Sequence, residues 1–513
     1  MTALNGGAEF THPVGSASSP SPSEATVGSV VALDGRALTI AQVTALARRQ
    51  AAVLLDPVAR AEFERTAPIG RAVAARRAVY GYTTGVGANR TTVVPEEAAA
   101  EYGMRLLRSH SGGIGPLAPP DQVRAMLAVR ANQLLGGGSA VNPVVTDRLA
   151  EAITSGHLPR VHALGAIGTG DLTALAELGL TLAGELPWSG GDGASPDPVQ
   201  LTRWDALPLM SSGALTIGQA CLAVHDLTML FEQLPALAAL TLTAVGGSTE
   251  PYAEYVHRRR PHPGAQRLAA RMRELLAGAD WQPSLIQDPF GLRCLPQIDG
   301  TTLDAVDSAA GVITVELNAA LENPLLDVEA NDYHHHGGFH FARLALALDQ
   351  LRLGLLGTAE LSTKRLGILV EPAFTGLPPF LAQRADGSSG VMIVEFAAQS
   401  AVAELHGYAQ PVTLGNAVIS RGVEDHASFA STGARRLLDS VEPLRLVLAC
   451  ELVAAVRAIR MRGIEPPAGE LREFYDRAAA RLNPATEDRN LTPDVEAAAE
   501  LLLPNANSDE DTK

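Results

Sequence analysis

Long runs of apolar residues at helical spacing dominate the chain. In 340–366, HFARLALALDQLRLGLLGTAELSTKRL, leucine or alanine returns on nearly every turn. At about 1.5 Å per residue this segment predicts a core helix of roughly 40 Å. Similar runs occupy 212–235, 304–322, 391–409 and 433–462, the last containing Pro443 as a kink point. Ahead of them, VVALDGRALTIAQVTALARRQAAVLL predicts a short strand, a turn at Asp34-Gly35 and an amphipathic helix. The first 28 residues are rich in Ser, Pro and Gly and nearly lack large apolar groups, so they are expected to form a disordered tail, as is the acidic end at 501–513. Between the tails, residues 29–210 read as an N-terminal mixed helical region and 211–500 as a long-helix bundle with C-terminal helices. The expected fold class is mostly α.

Composition narrows the function classes. At 513 residues and 46% hydrophobic content the chain can bury a large core, and with only 4% aromatic residues that core must be built from Leu and Ala. Forty basic against 56 acidic residues leave a net charge of −16, which repels phosphate backbones and anionic lipid surfaces, so neither nucleic acid nor membrane is expected as a partner. Cys221, Cys294 and Cys450 are too far apart in sequence for a disulfide framework or a zinc knuckle, and a reducing cytoplasm is the expected setting. No signal-peptide pattern opens the sequence, and no stretch of about 18 uncharged apolar residues predicts a membrane span.

The chemistry sits in glycine-rich segments between helices. In ALGAIGTGDLTALAE (163–177), Gly168, Thr169 and Gly170 lie just before an apolar helical run, with Asp171 placed to cap it and the helix dipole favouring negative charge there. VYGYTTGVGANR (79–90) exposes Tyr80 beside a Gly/Thr loop, where a phenol of lowered pKa serves as a general base. LLRSHSGGIG carries His110, and IQDPFGLRCLPQ offers Arg293 for bidentate grip on a carboxylate. RGVEDHASF sets Glu424, Asp425 and His426 in a row. The histidines of NDYHHHGGFH (331–340) are consecutive and cannot point at one ion from a regular element, so this segment reads as a solvated loop and no metal is expected.

Taken in order, the Tyr80 loop, SHSGG, GTGDL, RRRPHPG, QDPFGLRC, ELNAALENPL, GGFH and VEDH resemble the aromatic amino acid ammonia-lyase and 2,3-aminomutase family over roughly residues 30 to 500. The resemblance implies a mostly helical subunit and a homotetramer whose active sites are shared between chains. The helices at 340–366, 391–409 and 433–462 would then pack across subunits. It implies a small amino acid or related carboxylate as substrate and no diffusible cofactor. The electrophile would be a methylidene-imidazolone formed autocatalytically when the family's Ala-Ser-Gly cyclises and loses two waters; here Gly168, Thr169 and Gly170 occupy those places. Tyr80 would be the base that removes the β-proton and Arg293 the carboxylate clamp. His110, Ser212, Phe339 and Glu424 would border the substrate, and Phe290 would support the electrophile.

The departures from the family pattern bear on the chemistry. Gly168 stands for Ala and Thr169 for Ser, which would add a methyl to the alkene. Ser212 replaces an Asn, Phe290 replaces a Tyr, and Gly422 and Val423 replace two amides. Ser109, His110 and Glu424 match the histidine ammonia-lyase pattern, pointing to an aromatic or imidazole-like side chain. Three readings stand side by side on the sequence. They are an ammonia-lyase or aminomutase with a modified 168–170 electrophile, acid–base elimination or addition by Tyr80 without that electrophile, and a catalytically silent ligand-binding homologue.

Overall fold

The computed structural model describes residues 29–384 and 386–504. The tail expected at 1–28, and residues 505–513 of the tail expected at 501–513, lie outside the described residues. Leu501 and Leu502 instead close a helix against the core. In chain order, the elements that position the site are β1 (Ser29–Leu33), α1 (Ile40–Ala47), β2 (Ala51–Leu55), α2 (Glu96–His110), β3 (Ile114–Leu117), α3 (Pro120–Leu135), β4 (His162–Leu164) and α4 (Leu172–Leu182). They are followed by α5 (Ala214–Val245), α6 (Phe290–Arg293), α7 (Leu295–Leu317), α8 (Ala342–Val370), α9 (Met392–Tyr408), α10 (Ala430–Arg462) and α11 (Thr492–Leu502).

The five long helices expected from the apolar pattern are all present, with shifted ends. α5 runs unbroken through Pro235 and α10 through Pro443. α7 begins at Leu295, with a proline in its first turn, where a missing N–H costs no hydrogen bond. Among the described residues, four two-stranded ladders accompany the helices; β1 pairs in parallel with β2 across α1, and β3 pairs antiparallel with β4. Among the described residues, one apolar cluster runs from Val31 to Leu502 and takes side chains from both expected regions. The segment Ala206–Val245 meets the length and hydropathy of a membrane span, but its apolar window is wholly buried inside the fold, as befits a core helix.

α10 buries its apolar residues against α5, α8, α9 and α11 within one chain. α8 and α9 do leave apolar side chains in the open. Leu346, Leu353, Ile393 and Phe396 are each more than half exposed.

Deep in the bundle, Glu451 of α10 accepts from Arg365 Nε at 2.7 Å and Nη2 at 2.9 Å, from Ser362 Oγ at 2.6 Å and from Thr241 Oγ1 at 2.8 Å. Asp299 of α7 lies 3.5 Å from the same guanidinium, and Arg365, Asp299 and Glu451 are all fully buried. This cluster ties α5, α7, α8 and α10 in one register. Breaking a buried pair strands a charge, whereas removing both partners does not. Glu451→Gln is therefore expected to cost about 3–5 kcal/mol in denaturant unfolding. The triple variant Asp299→Leu, Arg365→Met, Glu451→Met, which leaves no charge of the cluster behind, should recover most of that loss; equal destabilisation by both would show that the pairing itself is not what matters.

Candidate active site

The segment between β4 and α4 is held by main-chain and hydroxyl groups at the starts of other helices. The Gly168 carbonyl accepts from Ser428 Oγ at 2.8 Å and from the Phe341 N–H at 3.2 Å. The Phe429 N–H donates to Ile167 O at 2.9 Å, and Ser431 Oγ to Ala166 O at 2.9 Å. On the other side, the Asp171 N–H donates to Ser212 O at 2.7 Å. Because Phe341, Phe429, Gly213 and Asp171 immediately precede α8, α10, α5 and α4, four helix N-termini converge here. Each carries about half a positive charge.

Gly168 (φ +86°) and Gly170 (φ +116°) hold conformations that residues with a Cβ rarely adopt. A Cβ at Gly168 would run into Ser428 Oγ and come within 2.8 Å of the Phe429 and Ala430 nitrogens, so the alanine of the family pattern does not fit without movement of α10. Among the described residues, neither the Gly170 N–H nor the Thr169 hydroxyl has a hydrogen-bond partner.

Asp171 does not cap its own helix. Its carboxylate accepts instead from the Thr216 N–H and hydroxyl of α5, each at 2.8 Å. Burial pushes its pKa up to about 6, against the lowering effect of those two donors. Ser212, expected beside the substrate, is fully buried. Its hydroxyl donates to Gln133 Oε1 at 2.6 Å, so it positions the α5 start rather than touching open space. Gln133 is held by Arg130, which also donates to Glu322 at 2.8 Å.

Two further loops are tied to the segments that hold the tripeptide. The Tyr80 oxygen accepts from the Gly87 N–H at 2.7 Å, and the Tyr80 N–H donates to His335 Nε2 at 3.1 Å. Ser420 Oγ accepts from the Ala88 N–H, fastening this loop to the segment carrying Glu424, whose backbone pairs with Ile419. Tyr80 does not have the lowered pKa expected of a base. Burial raises it, the Gly87 amide opposes that, and the nearby Glu424 carboxylate adds to it. No group of three or more His, Cys, Asp or Glu side chains that could hold a metal ion occurs among the described residues. His336 Nε2 donates to Glu322 O, and its ring lies 6.2 Å from that of half-buried Phe339. Phe339 is thus placed two residues before the Phe341 amide that holds Gly168. His110 ends α2; its Nδ1–H donates to Leu106 O at 2.9 Å, which leaves Nε2 as an acceptor. Through the Ile114–Leu164 pairing of β3 with β4, His110 and Gly168 each lie four residues from one rung of the ladder.

Phe290 and Arg293 are not part of this cluster within one chain. They form α6, which packs near Lys364, Arg365 and Ile368 of α8, whereas the tripeptide sits at Phe341. The 24 residues from Phe341 to Arg365 put α6 about 36 Å away along the helix. Arg293 stacks on Phe290 at 4.3 Å, its buried Nε has no partner, and Phe290 is 63% exposed.

The profile of the aromatic amino acid lyase family matches residues 38–480. The chain belongs to that family. A histidine ammonia-lyase from Anaeromyxobacter sp. (strain K) is 34% identical over 92% of this chain and 98% of its own length. Among solved structures, ergothionase, an ergothioneine-degrading enzyme from Treponema denticola, superposes with a TM-score of 0.85 at 25% identity over 92% of this chain and 98% of that one. A tyrosine aminomutase from Streptomyces globisporus gives a TM-score of 0.86 at 28% identity over 92% and 96%. The protein is an ammonia-lyase-type carbon–nitrogen lyase of this family.

Ser428, Thr216 and His335 are absent from the sequence-derived site. Ser428 was within reach, two residues beyond the VEDH motif at a helix start, where serine is a favoured side-chain donor and acceptor. The other two act across helices and leave no local signal.

The raised Asp171 pKa has a definite sign. Between pH of about 4 and 6 the folded chain keeps a proton that the unfolded chain has lost, so this group disfavours folding as pH rises through that window. Relative to Asp171→Asn, the wild type should gain on the order of 2–3 kcal/mol in urea unfolding on going from pH 7 to pH 4. A difference that stays constant with pH would show that Asp171 does not titrate there.

Proposed function

We propose that this lyase eliminates ammonia from an α-amino acid with an imidazole-like side chain, at a site completed by other copies of the chain. The observation that carries the reading is the Gly168–Thr169–Gly170 loop, with a doubly hydrogen-bonded carbonyl at 168 and an uncommitted amide nitrogen at 170. These are the two groups that ring closure joins. Donors on the carbonyl oxygen withdraw electron density from its carbon, and the Thr169 hydroxyl is free to leave as water. The residues therefore fit a methylidene-imidazolone-type group bearing one extra methyl from Thr169. Once formed, such a group supplies an electrophilic alkene for the substrate's amine, and the converging helix N-termini favour the negative charge that follows.

Tyr80 is the base for the β-proton. The Gly87 N–H already supports its oxyanion, and the cation needed to offset burial and Glu424 comes with the substrate's ammonium. Arg293, with its unpartnered buried Nε, clamps the substrate carboxylate from a second copy, because α8 keeps it about 36 Å from its own tripeptide. His110 Nε2 and Glu424 are acceptors for an imidazole N–H. The histidine ammonia-lyase relatives support that side-chain class. One observation favours electrophile-free elimination by Tyr80 instead: Ser212 gives its hydroxyl to Gln133, and Phe290 has none, so neither helps Thr169 dehydrate.

Mass spectrometry of the purified protein separates the two chemistries. A 168–170 peptide two waters lighter than its sequence is expected; an unmodified peptide in an active enzyme would transfer the chemistry to Tyr80 alone.

Tyr80→Phe should lower turnover of histidine about a thousandfold with folding intact. Arg293→Met should raise KM steeply. If sites are shared, co-refolding these two impaired variants should restore part of the activity through mixed assemblies. No recovery on mixing would place Tyr80 and Arg293 in separate roles.

A further inference from the structure

Beside the β3–β4 ladder lies a cavity of about 500 Å³ whose charged lining, among the described residues, consists of Arg49, Arg124 and Arg160 and includes no acidic side chain. In a chain of net charge −16 this is a local inversion of sign. Arg49 and Arg160 have no side-chain partner among the described residues, although acids outnumber bases 56 to 40. Arg49 is also held at φ +58°, in the left-handed region, directly after Arg48, which is anchored to Asp226 by two bonds of 2.8 and 2.6 Å. That φ closes the end of α1, where the Gln50 N–H donates to Ala45 O at 2.8 Å, and it is the unpaired guanidinium lining the cavity that points to a ligand. Opposite it, Gly190 and Gly191 present no side chains, and their amides have no acceptor among the described residues. The remaining walls are apolar, chiefly Leu117, Val123 and Leu158.

We infer that this cavity binds a phosphorylated organic anion of about nucleoside-monophosphate size, with the phosphate between Arg49 and Arg160 and the organic part on the apolar wall. Planar guanidinium forks match phosphate oxygens, and an apolar wall gives inorganic phosphate nothing further to hold. The site adjoins the catalytic one through the sheet. Ala118 N–H donates to Val161 O at 2.8 Å, so Leu117 and Arg160 sit at one end of the two strands whose other ends lead to His110 and Gly168. Occupancy thus braces the pair of strands on which both groups depend.

Isothermal titration calorimetry of the whole protein with AMP, adenosine and inorganic phosphate tests this. AMP should bind saturably, and adenosine and phosphate each at least about tenfold more weakly. Arg49→Gln, Arg160→Gln should weaken AMP binding about a hundredfold while leaving the circular dichroism spectrum and turnover without AMP unchanged. The inference fails if AMP does not saturate, if the double variant binds AMP like the wild type, or if phosphate or adenosine alone binds as tightly as AMP.

Discussion

Everything at the site depends on α5, α8 and α10 starting at the same place and running the same way. Bringing like ends of helix dipoles together is electrostatically unfavourable, since each carries about half a positive charge. The 166–168 carbonyls answer that cost directly, by accepting from Ser431, Phe429, Ser428 and Phe341 at the helix starts. The loop is therefore not a linker resting on a bundle. It is the acceptor that lets these helices begin together, and its middle residue, Thr169, is left half-exposed at a point of concentrated positive potential.

Holding three parallel helices in register from one end only would leave their far ends free to slide. Glu451 supplies the second point, collecting Arg365 and Ser362 of α8 and Thr241 of α5 more than twenty residues beyond the helix starts. Between the two points the contacts are mostly alanine and leucine, which allow close axial approach but are interchangeable from turn to turn. A core with few large aromatic wedges specifies register weakly, and polar fixation at both ends provides what the apolar packing leaves undetermined.

This division explains what could be read from the sequence. Helix periodicity is local, so the five long helices were legible, as was the demand for glycine at positions 168 and 170, which is also local. Asp171 misled because a carboxylate before a helix normally caps it; here Thr216, 45 residues on, offers two donors at once and wins. The histidines of 334–336 read as a solvated loop because nothing local shows that His335 accepts from Tyr80 or that His336 reaches the Glu322 carbonyl. The apolar run of 212–235 stops ten residues short of the end of α5 because the tertiary packing that carries the helix past Pro235 is invisible in one dimension.

Arg293 poses a different problem, since its distance from Thr169 is set by a helix rather than by a loop. Rotamer changes move a guanidinium by a few ångströms, and α8 is a continuous 29-residue rod packed on α7 and α10 along its length. No rearrangement short of unfolding brings α6 to the α8 start in one chain. On the reading in which both residues serve one substrate, catalysis is a property of the assembly. The exposed apolar residues on α8 and α9, together with Phe290, are then its contact surfaces. On that reading, the long helices that would give the electrophile its electrostatic setting are also what would deny a single chain its carboxylate anchor. On the same reading, lengthening the bundle to stabilise one end of the reaction would make association with further copies a condition of completing it.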